Sequence, residues 1–474
     1  MNPVDELPAV LTRRQLLGQA GLGLGAAALG MLRGEALAET VRRVAPRANR
    51  VIYLFQNGGP THVDLFDYKP KLTELAGQPV PTSLIDGKRF STMTAGSNKN
   101  FLPEITHFAQ RGECGRWIAE DFLPHTAGIV DDLCFVRSMQ TTQVNHAPAI
   151  TYFLTGSEMA GKPSMGAWLT YGLGSETEEL PGFIVMTSRD REASCGQIFY
   201  DFYWGSGFLP SKFQGVKFRG AGDPVLYLSN PDGVSRELRR SQLDDLAELN
   251  QLNMQRLGDP EIAARIAQYE MAYRMQASVP ELTDFSDESK QTLEMYGPAV
   301  LEKGSFAHNC LMARRLAERG CRFIQLMHAG WDQHSNLNTQ LKIQCEDTDA
   351  PSAALVKDLR RRGMLDDTLV IWGGEFGRTP FLQEKSGDRK GRDHHPYAFT
   401  IWLAGGGIKP GFAFGESDDV GFNAIQDVVS PRDLQATILH LLGIDHRKFS
   451  FRFQGLDQRL TGVEECRVVS EILA

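Results

Sequence analysis

The chain has 474 residues, of which 42% are apolar and 23% charged, which is an ordinary composition for a globular protein with one large core or two domains. Its 58 acidic and 50 basic residues give a net charge of −8, which argues against nucleic acid as a partner. The seven cysteines include no C-x-x-C pair, so a zinc site built from thiolates is not expected.

The N-terminus has the parts of an export signal in the right order. Arg13 and Arg14 form a twin-arginine pattern, a Gly/Ala/Leu stretch follows, and the Ala-Leu-Ala at 36–38 is a cleavage signal. The alternative is a short membrane anchor, but the apolar run is short and rich in glycine, and no later segment is long enough to span a bilayer. We therefore predict a signal peptide over 1–38, a linker over 39–49, and a periplasmic or secreted mature protein carried by the twin-arginine translocase.

The cysteine count is odd, so at least one thiol stays free. A disulfide between Cys114 and Cys134 suits an oxidising compartment, although their spacing alone does not establish it.

Short continuous apolar runs that end at turns indicate buried parallel strands. Six such runs predict one extended sheet: Val51–Phe55, Cys134–Val136, Phe183–Met186, Phe323–Met327, Leu369–Trp372 and Phe399–Leu403. Helical patterns lie between them at His146–Leu154, Met165–Tyr171, Ile262–Met275, Phe306–Arg319, Ser352–Arg362 and Pro431–Leu442. This alternation predicts an α/β domain over 50–474, with a mainly parallel sheet and helices on both faces.

One stretch, from about 187 to 300, breaks the rhythm of strand and helix. It contains an aromatic loop, Phe199–Phe218, and then a charged helical segment over 235–278. We interpret this stretch as an insertion or cap on the domain.

Polar residues follow the strand that ends at Met327. In α/β sheets, residues just past the carboxyl ends of strands converge on one crevice. Here His328 comes first, and Asp332 and His334 follow two residues apart, a spacing that can place a carboxylate and an imidazole on one divalent cation. A surface turn explains the same D-x-H pattern equally well.

The strand that ends at Trp372 is followed by two glycines, which let the backbone approach another group closely. They present Glu375 beside Arg378. The alternative interpretation is an ion pair on a tight turn.

Asp393, His394 and His395 immediately precede the last predicted strand. Adjacent histidines point in different directions, so we expect one of them to be a metal ligand and the other to bond a carboxylate or substrate. Six of the eleven histidines lie at strand ends or in polar loops near them, and neutral imidazole is the commonest metal ligand near pH 7. They are His62, His146, His328, His334, His394 and His395.

Two N-terminal segments complete the set of candidates. Asn57, His62 and Asp64 follow the first strand, where capping or loop structure is as good an explanation as function for the latter two. Asn145 and His146 open a helix whose N-terminal amides favour an anion, and for His146 we favour function.

The ordered motifs NGGPTHVDLFDYKP, NHAPA, GWDQHSN, DDTLVIWGGEFGRTP, GRDHHP and LAGGGIKPG resemble the bacterial domain of unknown function family 1501. The resemblance covers about residues 50–474 and includes the leader. That family is similar to sulfatases and alkaline phosphatases. The resemblance therefore implies an alkaline phosphatase-like α/β sandwich with a metal-centred site for ester hydrolysis.

The resemblance also implies roles for single residues. Asp332 and His334, with His394 or His395, resemble the ligands of the first metal. Glu375 aligns with the carboxylate of the second metal site, where Phe376 replaces an imidazole.

Two further positions depart from the superfamily pattern. Asn57 stands where the first metal-binding carboxylate is expected, and His146 falls at the place of the nucleophile, with Ile150 at that of an arginine. His146 could accept a phosphoryl group, bind metal, or act as acid or base, and a metal-activated water could attack instead.

The sequence thus predicts an exported, metal-dependent hydrolase of phosphate or sulfate esters, on small molecules or glycans, with one divalent cation (zinc, manganese or calcium). The predicted catalytic residues are His146, Arg378 and Asn57, and the predicted ligands are Asp332, His334, Glu375, His394 and His395. Supporting residues are His62, Asp64, Asn145, His328 and Asp393. The alternative is a non-catalytic, metal-containing binding or assembly protein on the same fold, and a third reading is an isomerase or transferase.

Overall fold

The structure is a computed structural model that describes residues 44–91, 99–188, 191, 199–220, 224–225, 228–383 and 390–474. The predicted signal peptide, the first part of the predicted linker and Cys195 lie outside the described residues.

An eight-stranded sheet forms the centre of the molecule. Its strands are β1 (Arg50–Gln56), β4 (Leu133–Met139), β5 (Phe183–Ser188), β6 (Val216–Phe218), β7 (Phe323–His328), β8 (Thr368–Gly373), β11 (Phe399–Ala404) and β12 (Phe412–Phe414). Their order across the sheet is β12-β4-β11-β8-β1-β7-β5-β6. β11 is antiparallel to both of its neighbours, and the other pairings are parallel.

Four small two-stranded sheets surround the central one. They pair β2 (Phe108–Arg111) with β3 (Arg116–Ala119), β9 (Gly377–Arg378) with β10 (His394–His395), β13 (Glu416–Ser417) with β14 (Ala424–Gln426), and β15 (Phe451–Phe453) with β16 (Leu456–Gln458).

The helices alternate with the strands along most of the chain. They are α1 (His62–Leu65), α2 (Pro70–Glu74), α3 (Thr82–Ile85), α4 (Pro124–Ala127), α5 (His146–Thr155), α6 (Met165–Leu173), α7 (Arg236–Leu257), α8 (Pro260–Thr283), α9 (Lys290–Tyr296), α10 (Phe306–Glu318), α11 (Leu337–Arg361) and α12 (Pro431–Leu441). In the part of the chain that the structure describes, no helix is long and apolar enough to cross a membrane.

Hydrophobic cores lie on both faces of the sheet, which explains why its strands are continuous apolar runs. Alternate residues of β1 enter different cores. Ile52 and Leu54 pack with α10 and α11, whereas Val51, Tyr53 and Phe55 pack with α5, α6 and α12. The predicted fold class, an α/β domain with a mainly parallel sheet covered on both faces, is confirmed.

All six predicted strands are present in the central sheet, but one predicted helix differs. α11 begins at Leu337 rather than Ser352 and continues through Pro351. Its first half buries one face, where Asp349 accepts hydrogen bonds from the backbone of His125 and Thr126 at 2.7 and 2.8 Å. Contacts between distant elements thus accompany a helix that extends beyond the predicted bounds.

The stretch predicted to be an insertion or cap contains β6 and the two long helices α7 and α8. β6 adds to the sheet at its edge, beside β5. α7 and α8 pack on each other, with an ion pair between Arg240 and Glu270 at 2.6 Å.

The disulfide considered between Cys114 and Cys134 is not formed, since both residues have free thiols.

Candidate metal centre

The carboxyl ends of β1, β7 and β8 lie level with one another. In the register of the sheet, Gln56 pairs with His328 and Phe55 pairs with Gly373. The segments that follow these three strands therefore leave the sheet at the same place.

Close backbone contact joins two of these segments. Gly58 has φ of +116°, and a Cβ at this position would lie 2.5 Å from the backbone nitrogen of Asp332. Only glycine allows the turn after β1 to lie this close to the loop after β7.

Four of the predicted site residues meet here. His146, Asp332, His334 and His394 each offer one ligand atom, and these atoms lie within 4.8 Å of one another. The Nε2 atoms of His334, His394 and His146 lie 2.9, 3.1 and 3.3 Å from the same oxygen, Oδ1 of Asp332. Three imidazoles and one carboxylate thus converge on one point.

The second nitrogen of each imidazole is held by the protein. Nδ1 of His146 donates to Oε1 of Glu375 at 2.6 Å, and Nδ1 of His334 donates to Oε1 of Gln383 at 2.5 Å. Nδ1 of His394 donates to the carbonyl of Val144 at 2.7 Å. Because each Nδ1 faces a protein acceptor, each Nε2 faces the shared point, which is the usual arrangement around a bound metal.

The side chains of the group of four shift one another's pKa values. Burial by itself raises the pKa of Asp332, but Arg378 and the three histidines outweigh it and hold this pKa well below its usual range. Burial lowers the pKa of His394 to about 4, so this imidazole is neutral at pH 7. For His146, the carboxylates of Asp332 and Glu375 overcome burial and raise the pKa to about 9.

Three imidazole nitrogens and one carboxylate oxygen form a donor set that fits zinc better than manganese, which prefers oxygen ligands. Calcium prefers ligands that are all oxygen, so three histidines disfavour it.

Arg378 is fully buried and interacts with the protein itself. Its guanidinium donates to Oδ1 of Asp332 at 2.6 Å, to the carbonyls of Gly59 and Arg392 at 3.0 and 3.2 Å, and to that of Gly58. Arg378 is a predicted catalytic residue, but these groups already occupy its guanidinium, so it does not face a substrate. Arg378 instead fixes the orientation of the Asp332 carboxylate.

Two predicted ligands lie outside the group of four. Glu375 is fully buried and accepts from Nδ1 of His146 and from the backbone of Gly58 at 3.0 Å, so it orients His146 from outside the group of four. His395 donates through Nε2 to the carbonyl of Phe422 at 2.5 Å. Successive residues of a strand point to opposite sides, so His394 and His395 on β10 cannot both face the same cation.

Asn57 directly follows β1 and is fully buried. Among the described residues, neither Nδ2 nor Oδ1 of its side chain has a hydrogen-bond partner. A buried amide without partners is rare in folded proteins and marks a place where a water, ion or substrate completes the site.

Over residues 48–473, the chain matches the family described as "Protein of unknown function (DUF1501)". The chain belongs to this family.

No curated protein matches the DUF1501 chain. Among solved structures, it is similar to the lipoteichoic acid synthase LtaP from Listeria monocytogenes, with 10% identity, 90% of this chain and 80% of that chain covered, and a TM-score of 0.34. It is similar to the PsFucS1 sulfatase from Pseudoalteromonas sp., with 11% identity, coverage of 95% and 76%, and a TM-score of 0.34. It is also similar to alkaline phosphatase from the Antarctic bacterium TAB5, with 11% identity, coverage of 84% and 99%, and a TM-score of 0.32.

The predicted supporting residues of the DUF1501 chain lie around the group of four. Nε2 of His62 donates to the carbonyl of Gly421 at 2.8 Å, and its ring stacks on His395 with centroids 6.1 Å apart. Asp64 forms a buried ion pair with Arg392 at 2.7 Å. Both residues hold loops of the site in place.

The remaining three supporting residues differ in how close they are to the centre. Asp393 accepts from Ser91, and its carboxylate lies 3.8 Å from Nδ1 of His334. His328 is engaged on both nitrogens, by Ser188 and Gln344, each at 2.8 Å. Asn145 is exposed and makes no side-chain cap hydrogen bond to α5.

Three contacts of the centre escape sequence reasoning. Gln383 and the carbonyl of Val144 orient His334 and His394, and the ring of Phe376 lies 5.0 and 4.8 Å from the rings of His146 and His394. A lone glutamine and a backbone carbonyl leave no pattern in a sequence. In the sequence, Phe376 stands out only as a departure from the superfamily pattern.

Proposed function

We propose that this DUF1501 chain is an exported metal-dependent hydrolase of phosphate or sulfate esters, with one divalent cation held by His146, Asp332, His334 and His394. The observation that carries the proposal is the common orientation of three imidazoles. Each Nδ1 is bonded to a protein acceptor, and each Nε2 faces Oδ1 of Asp332.

A bound divalent cation supplies Lewis acidity, which lowers the pKa of water and polarises an ester oxygen. The chain's own residues position the reactants. His146 is the most open of the four ligands, with 16% of its side chain exposed, so we place the approach of the ester on its side. The N-terminal amides of α5, which begins at His146, favour an anionic ester at this place.

The attacking group in this proposal is water. Nε2 of His146 faces Asp332 and Nδ1 is bonded to Glu375, so the imidazole is already occupied on both sides as a ligand. Water oxygen forms the new bond to phosphorus or sulfur, the ester oxygen leaves, and the proton of water passes to the leaving group. We assign the unpartnered amide of Asn57 to orient the ester.

One observation favours the second candidate, a non-catalytic metal-containing binding or assembly protein. The guanidinium of Arg378 is bonded to Asp332 and to backbone carbonyls, so it offers no free cation to a substrate anion. In this candidate the metal stabilises the loops of the site.

Metal content and turnover separate the two candidates. Protein purified from the periplasm is analysed for metal and assayed on aryl phosphates and aryl sulfates with zinc or manganese. We expect one equivalent of metal and measurable turnover, both lost in His334→Ala and kept in His107→Ala, whose exposed side chain lies outside the group of four. One equivalent of metal with no turnover supports the second candidate, and absence of metal overturns both.

A further inference from the structure

A cavity lies at the edge of the sheet, where β5 and β6 end. Here we call it the edge cleft. Its inner pocket, of about 30 Å³, is lined by Phe218, Arg219, Lys303, Asn309 and Met312. A wider groove of about 420 Å³ shares Lys303 with this pocket and continues past Leu228, Arg236, Gln276 and Val279.

The inner pocket ends at a polar group that has no partner. Asn309 is only 4% exposed, and in the part of the chain that the structure describes its Nδ2 has no hydrogen-bond acceptor. The pocket has room for about one oxygen atom of a ligand or one water, since a water needs roughly 10–15 Å³ of such space. A ligand oxygen placed there accepts a hydrogen bond from Nδ2 of Asn309.

The described charged side chains that line the edge cleft are positive. Arg219, Arg236 and Lys303 line it, and none of the described residues that line it is an aspartate or glutamate. Over the described ranges, none of these three cations has a carboxylate within salt-bridge distance, although 35 ion pairs occur there.

The backbone brings two of these cations to the same wall. A Cβ on Gly220 would lie 2.6 Å from Cα of Gly304, so the two chain segments touch at glycine. Arg219 and Lys303 directly precede these glycines. Like charges repel, so a wall built in this way is stabilised by an anion between them.

We propose that the edge cleft binds a small organic anion. One oxygen of its phosphate, sulfate or carboxylate group accepts from Nδ2 of Asn309 and is neutralised by Arg219 and Lys303. The organic part lies along the groove, against Leu228 and Val279. The described lining of the edge cleft shares no residue with the group of four, so the proposal does not depend on the proposed hydrolase activity.

The test measures binding of two anionic probes to the mature chain by calorimetry, in the presence of a chelator so that the metal centre does not contribute. The probes are phenylphosphonate, which has no hydrolysable ester, and benzoate; benzyl alcohol is the uncharged control. We expect at least one anion to bind and benzyl alcohol not to bind. Binding of phenylphosphonate alone identifies a tetrahedral head group, and binding of benzoate alone identifies a carboxylate.

Two variants assign the binding to the edge cleft. Lys303→Met removes a cation, and Asn309→Asp keeps the side-chain volume but replaces the donor with a negative charge. Each is expected to weaken binding by about tenfold or more. The matched control is Lys290→Met, which removes the same charge from a side chain that is 89% exposed and outside the edge cleft. Absence of binding by both anions, or equal binding by wild type and both variants, overturns the proposal.

Discussion

Oε1 of Glu375 lies 2.6 Å from Nδ1 of His146 and thereby decides which nitrogen of that imidazole faces Asp332. The carboxylate is fully buried and also accepts from the backbone of Gly58, so its position is fixed from two sides. The outer partner of a metal ligand commonly contributes about 10–100-fold to metal affinity.

Glu375→Ala is expected to weaken zinc binding by about 10–100-fold, because Nδ1 of His146 loses its acceptor. Glu375→Gln keeps an acceptor oxygen and is expected to recover part of this loss. Competition with a chromophoric chelator measures both affinities. Equal zinc affinity in wild type and Glu375→Ala would show that this hydrogen bond does not position the ligand.

Removal of the shared carboxylate tests the electrostatics of the centre. Asp332→Ala leaves the buried guanidinium of Arg378 without its carboxylate, and breaking a buried pair in this way costs about 3–5 kcal/mol. We expect a decrease of this order in the free energy of unfolding of the metal-free protein, measured with urea. Asp332→Ala combined with Arg378→Met is expected to be more stable than Asp332→Ala alone, and the opposite order would contradict the pairing.

Stability should depend on pH through His395. Burial, helped by the neighbouring His62, lowers the pKa of His395 to about 3, whereas the unfolded chain has an ordinary value near 6.5. The folded state therefore binds this proton less readily, so the stabilising contribution is complete above pH 6.5 and is lost as the pH falls toward 3.

Between about pH 6.5 and pH 3, this effect lowers the free energy of unfolding by on the order of 1 kcal/mol for each unit that the pH falls. Urea unfolding between pH 7 and pH 4 is expected to show a shallower decline for His395→Gln than for wild type. His107→Gln, which changes an exposed histidine, serves as the control and should follow wild type. Parallel curves for wild type and His395→Gln would refute the assignment.

The turn after β1 should tolerate no side chain at Gly58. Gly58→Ala adds a methyl group 2.5 Å from the backbone of Asp332 and strains a φ of +116°. We expect a large loss of both stability and zinc affinity. Gly87→Ala is the matched control, because its φ is +69° but nothing lies within 4 Å of the added methyl group. A loss of zinc affinity of the same size in both variants would point to general destabilisation rather than to displacement of the Asp332 loop.

Export can be tested independently of the site. Changing Arg13 and Arg14 together to lysine is expected to keep the protein in the cytoplasm, because the twin-arginine pathway reads this pair. Immunoblots of periplasmic and cytoplasmic fractions measure the outcome. Unchanged periplasmic yield would remove the basis of the predicted localisation.

Much of the fold follows from hydrophobic patterning in the sequence. Buried strands such as β1 and β7 are continuous apolar runs, so they can be recognised without knowledge of the fold. β6 and β12 have three residues each and lie at the two edges of the sheet, where patterning is too short to detect. The first half of α11 contacts α4 through Asp349, which is a contact between distant segments.

The ligand set is only partly readable from the sequence. The positions of Asp332 and His334 after a strand predict a shared site, but the choice between His394 and His395 depends on the pairing of β10 with β9. The role of Arg378 could not be predicted, because the carbonyls that it contacts belong to the turn after β1, more than 300 residues earlier in the chain. Sequence spacing shows which polar groups are near a strand end and leaves open which of them face one another.

The alternation of side chains along β10 links the candidate centre to a turn on its other side, over residues 418–423. His394 faces Asp332, while His395 donates to Phe422, whose own amide is bonded to Asp418 in the 418–423 turn. Zinc that immobilises His394 should therefore slow deuterium uptake at the amides of this turn. Mass spectrometry of that peptide would then report occupancy of the centre without any substrate being known.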